Sequence, residues 1–255
     1  MRDETHFSGT TALQTAYDAK GVVMRTALVA AASVALSGCT VNTDFGGPLQ
    51  HVQQSIELDK SEMARVDIKM GAGELHVEGG SPKLMDAQFD YNVVGSKPIV
   101  HYNASSFRGD IVVEQPSGFH GGTNSTYKWD LRFNNKLPLD VVTHLGAGEA
   151  HMDLGAMNLR NVQVHMGVGQ VELDLRGKPT HDYDVQIEGG IGQAIVHLPS
   201  TVGIVANASG GIGDIEVHGL EKNNGRWTNA AYEHSPVTIH VNVSGGIGNI
   251  TLTAE

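Results

Sequence analysis

The chain has 255 residues, a single cysteine and a formal net charge of −11. That acidic balance argues against nucleic acid and against direct attraction to anionic lipid head groups. One cysteine cannot build a disulfide framework. With aromatic residues at 5% of the chain, platforms for stacking sugars are also scarce, and Tyr102, Trp129, Trp227 and Tyr232 are most of what is available.

From Met24 the chain reads MRTALVAAASVALSGC, with one positive charge at Arg25, an apolar run from Ala27 to Leu36, and then Ser37-Gly38-Cys39. A short basic region, an apolar run and a small-residue cleavage site make a secretory signal. The run is much shorter than the ~20 residues of a membrane-spanning helix. Residues Arg2 to Val23 carry Asp3, Glu4 and Asp18, which do not suit the start of a signal, so Met24 reads as the translation start. Leu36-Ser37-Gly38-Cys39 resembles the lipobox of bacterial lipoproteins, in which cleavage leaves the cysteine lipidated at the new N-terminus. Residues 1–38 are therefore expected to be a signal peptide and Cys39 the lipidation site. Removing them leaves the charge at −11, because Arg2, Lys20 and Arg25 balance the three acids. Thr40 stands where an aspartate favours inner-membrane retention, which favours an outer membrane where one exists.

Residues 39–55 are polar and contain Gly46-Gly47-Pro48, so they read as a flexible tether between lipid and fold. Beyond them, apolar residues alternate with period two (Val66, Ile68, Met70), the pattern of half-buried strands. No segment of the mature chain has the period of a helix. Residues 56–118 are expected to form an N-terminal β unit. A polar stretch, Ser117 to Lys128, separates it from residues 129–255, where Trp129 is placed to cap a regular stack.

An internal repeat dominates the rest. Gly-x-Gly followed by alternating apolar residues begins at Gly71, Gly146, Gly167, Gly190, Gly211 and Gly246, giving intervals of 75, 21, 23, 21 and 35 residues. A period near twenty-two marks a β-solenoid, whose rungs bury their apolar faces only against neighbouring rungs. Four and six positions after the first glycine stand Leu75/Val77, Ala150/Met152, Val171/Leu173, Ala194/Val196, Ile215/Val217 and Ile250/Leu252, all apolar and expected to face inward. The intervening positions, such as His76/Glu78 and Glu172/Asp174, are mostly polar and expected to face water. Stacking in chain order would align Asp153, Asp174, His197 and His218 in one outward column and pair His144 with His165 in another. Asp174, His197 and His218 are then the candidate metal ligands, against the plainer reading of a solvated polar ladder. Gly219 to Ser235, with Trp227 and Tyr232, lengthens the last rung, which ends at Ile250–Leu252 without a cap of its own.

The glycine pairs are not a dinucleotide fingerprint, which needs a third glycine and a following helix. The outward acids Glu172, Asp174 and Glu216 are scattered rather than paired for glycoside hydrolysis. No catalytic residue and no cofactor is expected.

The combination of MGAGELHVEGG from Met70, LMDAQFDYNVV from Leu84, KPIVHYN from Lys97, WDLRFNNKLPLDVVTHLGAG from Trp129 and the closing GGIGNITL resembles the toast-rack family of bacterial envelope proteins. It is similar also to the C-terminal domain of LiaF-type cell-wall-stress regulators. The resemblance covers roughly residues 56–255 and implies a right-handed β-solenoid and an envelope location. LiaF-type proteins carry membrane-spanning helices ahead of this domain, whereas this chain has the lipobox. The expectation is an all-β protein: a right-handed single-stranded β-solenoid with about five rungs and a short N-terminal β unit. It would be lipid-anchored in the cell envelope, at the outer membrane or periplasmic face, and would act as a non-catalytic scaffold or adhesin-like module for an envelope protein or glycan. The alternatives are an envelope-stress or metal/ligand sensor and a carbohydrate-active β-helix enzyme.

Overall fold

The computed structural model describes residues 47–118 and 124–255, which belong to one compact unit. The signal peptide and Cys39 lie outside the described residues. The first half of the chain forms β1 (Gln50–Ile56), β2 (Met63–Gly79), β3 (Met85–Tyr91), β4 (Ile99–Ala104), β5 (Arg108–Glu114) and β6 (Tyr127–Phe133). The second half forms β7 (Leu139–Asp153), β8 (Leu159–Asp174), β9 (Tyr183–Leu198), β10 (Gly203–Ile212), β11 (Ile215–His218), β12 (Glu221–Asn223), β13 (Arg226–Thr228) and β14 (Thr238–Ala254). All fourteen join one sheet, and the all-β expectation holds.

Each long strand is two strand segments joined by a Gly-x-Gly corner. The corner does something that periodicity alone cannot. Before it, β2 points Val66, Ile68 and Met70 inward; after it, Leu75 and Val77 point inward, all at most 2% exposed. A straight strand would send Met70 and Leu75 to opposite faces, because a shift by an odd number of residues exchanges the sides. The corner turns the chain so that both halves line one interior. The same change of phase recurs in β8, from Val164 and Met166 to Val171 and Leu173, and in β9, from Val185 and Ile187 to Val196.

Only glycine fits the second corner position. Gly148 has φ +131° and Gly192 φ +142°, and a Cβ at either would lie under 2 Å from the carbonyl oxygen of the corner glycine beside it in the stack. These corners sit one above another, with Gly73, Gly148, Gly169, Gly192, Gly248 and Gly213 in spatial order. Glycine here supplies both the positive φ and the close backbone approach. Inward residues then pack in columns: Leu75, Ala150 and Val171 are each 0% exposed. Burying each large aliphatic side chain contributes roughly 1.5–3 kcal/mol.

The order of the rungs departs from chain order. The parallel stack runs β2-β7-β8-β9-β14-β10, with β11 continuing β10 beside β14. β14, last in the chain, lies between β9 and β10, matching Ile247 to Ile191 on one side and to Ile212 on the other. The expectation that Ile250–Leu252 ends the stack is therefore corrected: both are interior, at 4% and 0% exposure. The terminal rung is β10 and β11, where Ile215 is 39% exposed and Val217 half-buried.

Two boundaries also move. β2 is itself a rung, paired to β7 from Ala64↔Leu139 to Glu78↔Asp153, so the stack begins inside the expected N-terminal unit. The 75-residue interval holds β3 to β6. β5 covers the first half of β2 and β6 its second half. The tether does not reach residue 55, because β1 pairs antiparallel with β3 from Gln50↔Tyr91 to Ile56↔Met85. Its sequence QHVQQSI looks like a linker because an edge strand is held by backbone hydrogen bonds and needs little apolar patterning; only Val52 and Ile56 touch the core. Trp129 does cap the stack as expected: it is fully buried, opposite Leu75 on one side and Phe89 on the other.

Candidate interaction surface at the rung corners

The residue between the two glycines of each corner projects outward with no side chain on either flank to shelter it. In spatial order these residues are Ala72, Ala147, Val168, Ile191, Ile247 and Ile212, each in register with the next. The four β-branched ones are 50%, 50%, 48% and 70% exposed. At about 4.8 Å per rung they form a continuous apolar ridge. A contiguous exposed apolar patch on a water-facing protein marks an interaction site far more than scattered single residues do. Strand alternation could not find it, since alternation assigns no side to a residue at the break in phase. The signal was the repeated apolar residue framed by glycines.

Beside the ridge runs the outward column of the first halves. His144 and His165 are register partners with rings stacked 4.9 Å apart at 10°, as expected from the repeat. His165 Nδ1 lies 3.0 Å from a Glu188 carboxylate oxygen. Hydrogen bonding from Gln186, then from His165, holds Glu188 below the ordinary glutamate range. An open groove separates this column from residues 115–118, floored by Met70, Leu145 and Met166. Its near end is fixed by Gln115, whose Oε1 accepts hydrogen bonds from the backbone N–H groups of Gly71 at 2.5 Å and Ala72 at 3.1 Å.

The second halves present a polar ladder. His76 and His151 rings lie 5.1 Å apart, and His151 Nδ1 is 3.2 Å from Glu172. Asp174 meets Arg176, whose Nε donates at 3.0 Å. Burial pushes Asp174 upward, but the hydrogen bonds and charge of Arg176 outweigh it, and its carboxyl titrates below the usual range. Glu74 is likewise lowered, chiefly by the Lys128 ammonium 3.0 Å away.

The metal-ligand column is corrected by the strand order. Asp153 pairs with Asp174, and Asp174 with His197, but His197 faces Thr253 of β14, and Thr253 in turn faces His218. His197 and His218 are thus two rungs apart. His197 instead approaches Glu172 at 3.8 Å and Glu255 at 3.7 Å. Among the described residues no group of three or more His, Cys, Asp or Glu side chains is arranged to hold a metal ion. Tyr102, one of the aromatic residues available to sugars, is tied down by donating its hydroxyl to Asp59 at 2.6 Å.

Residues 45–197 match the family described as the N-terminal domain of toast_rack, DUF2154, and the chain belongs to that family. A solved structure from Clostridium sporogenes ATCC 15579, described as a candidate cell adhesion protein, is 30% identical. It covers 81% of this chain and all of its own, with a TM-score of 0.79. A candidate adhesin from Bacteroides fragilis NCTC 9343 aligns over 82% of this chain and 98% of its own at 8% identity, with a TM-score of 0.28. No curated protein matches the chain.

Proposed function

We propose that this protein is a non-catalytic interaction module of the cell envelope, anchored by lipid on Cys39, that engages another envelope component through the corner ridge. The observation that carries this reading is the ridge of Val168, Ile191, Ile247 and Ile212, held exposed between closely stacked glycine corners. The Clostridium sporogenes relative supports it, since that protein is described as a candidate for cell adhesion. The lipobox motif supports the anchor, and Thr40 favours the outer membrane. We read the stack as a right-handed coil, following the family resemblance.

The test replaces Val168, Ile191 and Ile247 together with serine. Binding to isolated cell envelopes, measured by co-sedimentation, is expected to fall at least tenfold, while the melting curve stays close to that of the parent. Unchanged binding would overturn the ridge reading. Separately, Cys39→Ser is expected to release the protein from the membrane fraction and to abolish labelling by radioactive palmitate.

A further inference from the structure

The stack has four terminal half-rungs, and three are covered. β5 lies on the first half of β2, β6 on its second half, and β13 on the first half of β10 through Val205↔Thr228 and Ala206↔Trp227. Among the described residues, β11 pairs with β14 alone, and no strand lies on its outer edge. Its inward side chains show the consequence. Ile215 is 39% exposed, whereas Leu75, Ala150, Val171 and Ile250 at the same position of other rungs are at most 4% exposed.

Natural proteins blunt open edges with lysine, proline, a bulge or an inward-pointing charge. β11 reads Ile215-Glu216-Val217-His218; its four-residue length and the acidic Glu216 are the only such devices it has, and it lacks lysine, proline and an inward charge. Of the other outer strands, β1 is dominated by glutamine, histidine and serine, and β12 carries Lys222. β4, although its outward Ile99 is 38% exposed, follows Lys97-Pro98 and packs Val100 and Tyr102 against the core. An open edge with exposed apolar residues on its core side accepts an added strand, the backbone giving affinity and alternate side chains giving specificity.

We infer that β11 is an acceptor for a single extended segment of a partner protein, alternating apolar with basic residues. One strand fits because the β12–β13 hairpin already stands beyond β10, in the path of any complete rung brought by a second copy. Apolar residues of the added strand cover Ile215 and Val217. Basic residues face the exposed Asp214 and Glu216 on a chain whose net charge is −11. Opposite charges across neighbouring strands are favourable, and like charges are not. The site is separate from the corner ridge, so the serine variants above leave it intact and the two readings fail independently.

The experiment uses the purified full-length protein and a fluorescent peptide of alternating lysine and valine, with a block-sequence lysine–valine peptide as control. Fluorescence polarisation is expected to show saturable binding of the alternating peptide only. Two variants at exposed positions, Ile215→Lys and Glu216→Lys, are each expected to weaken it by at least about tenfold, roughly one charge or apolar contact. Glu216→Lys is further expected to bind a glutamate–valine peptide in its place. Equal binding of the block peptide, or no binding by a protein with an unchanged melting curve, would overturn the inference. So would a concentration-dependent dimer that Ile215→Lys abolishes, since the edge would then belong to a second copy.

Discussion

The two ends of the stack are made from the same cornered rung yet are closed in different ways. At the β2 end both halves carry a further strand, and β6 brings Trp129 and Phe133, with Phe89 of β3 standing edge-on to Trp129 at 5.6 Å. At the β10 end a two-residue ladder to β13 covers one half only. Its Trp227 is half-exposed, with Lys222 lying 5.2 Å over the ring. Closing an apolar stack thus takes both backbone partners and aromatic bulk. Where these are missing, the interior reaches water through Ile215.

The largest effect should come from the feature both ends share. Gly192→Ala places a Cβ 1.7 Å from the Gly169 carbonyl oxygen at φ +142°. A loss of roughly 4–5 kcal/mol or more, read from the denaturant midpoint, is expected. Gly225→Ala, at the β12–β13 turn with φ +82° and nothing within 4 Å, should cost only about 1–2 kcal/mol. The next change separates the ends. Trp129→Ala should cost about 3–5 kcal/mol, as for a fully buried aromatic. Trp227→Ala, half-exposed, should cost about 1–2 kcal/mol from lost burial. Equal losses would mean that the hairpin closes its end as firmly as β6 closes the other.

Between the ends, Thr143 is 0% exposed in register with Ile68 and Val164, and its hydroxyl has no hydrogen-bond partner among the described residues. Thr143→Val should raise stability by about 1 kcal/mol. A rise in melting temperature would show it, and a fall would mean the hydroxyl is satisfied. The smallest effect is on acid stability. The folded-state pKa values of Glu74 and Asp174 lie below their unfolded values, so their contributions are present above those values and fade as pH falls through the carboxylate range. Glu74→Gln should therefore flatten the decline below the ordinary glutamate value of 4.5, with solvent screening keeping the change modest.

The rungs were readable because a glycine corner and its following alternation leave a mark at a fixed interval. The side assignments after the corner follow from that mark at all rungs but the terminal one, where no further strand covers Ile215. Spatial order was not readable. Parallel pairing requires only matching inward columns, and Val241 of β14 matches Val185 of β9 on one side and Ala206 of β10 on the other. The proposed His197–His218 pair failed for that reason alone. β1 was hidden because an edge strand asks for hydrogen bonds rather than for apolar alternation.

The placement of β14 has a consequence for how the chain is made. Residues 203–228 leave the ribosome before Thr238–Ala254, the segment that, among the described residues, joins them in parallel register to the older rungs. A product ended early would therefore carry two unjoined leaves instead of a shorter stack. The late strand acts as a keystone, and a polypeptide lacking it would expose two raw sheet margins to the cell's proteases at once.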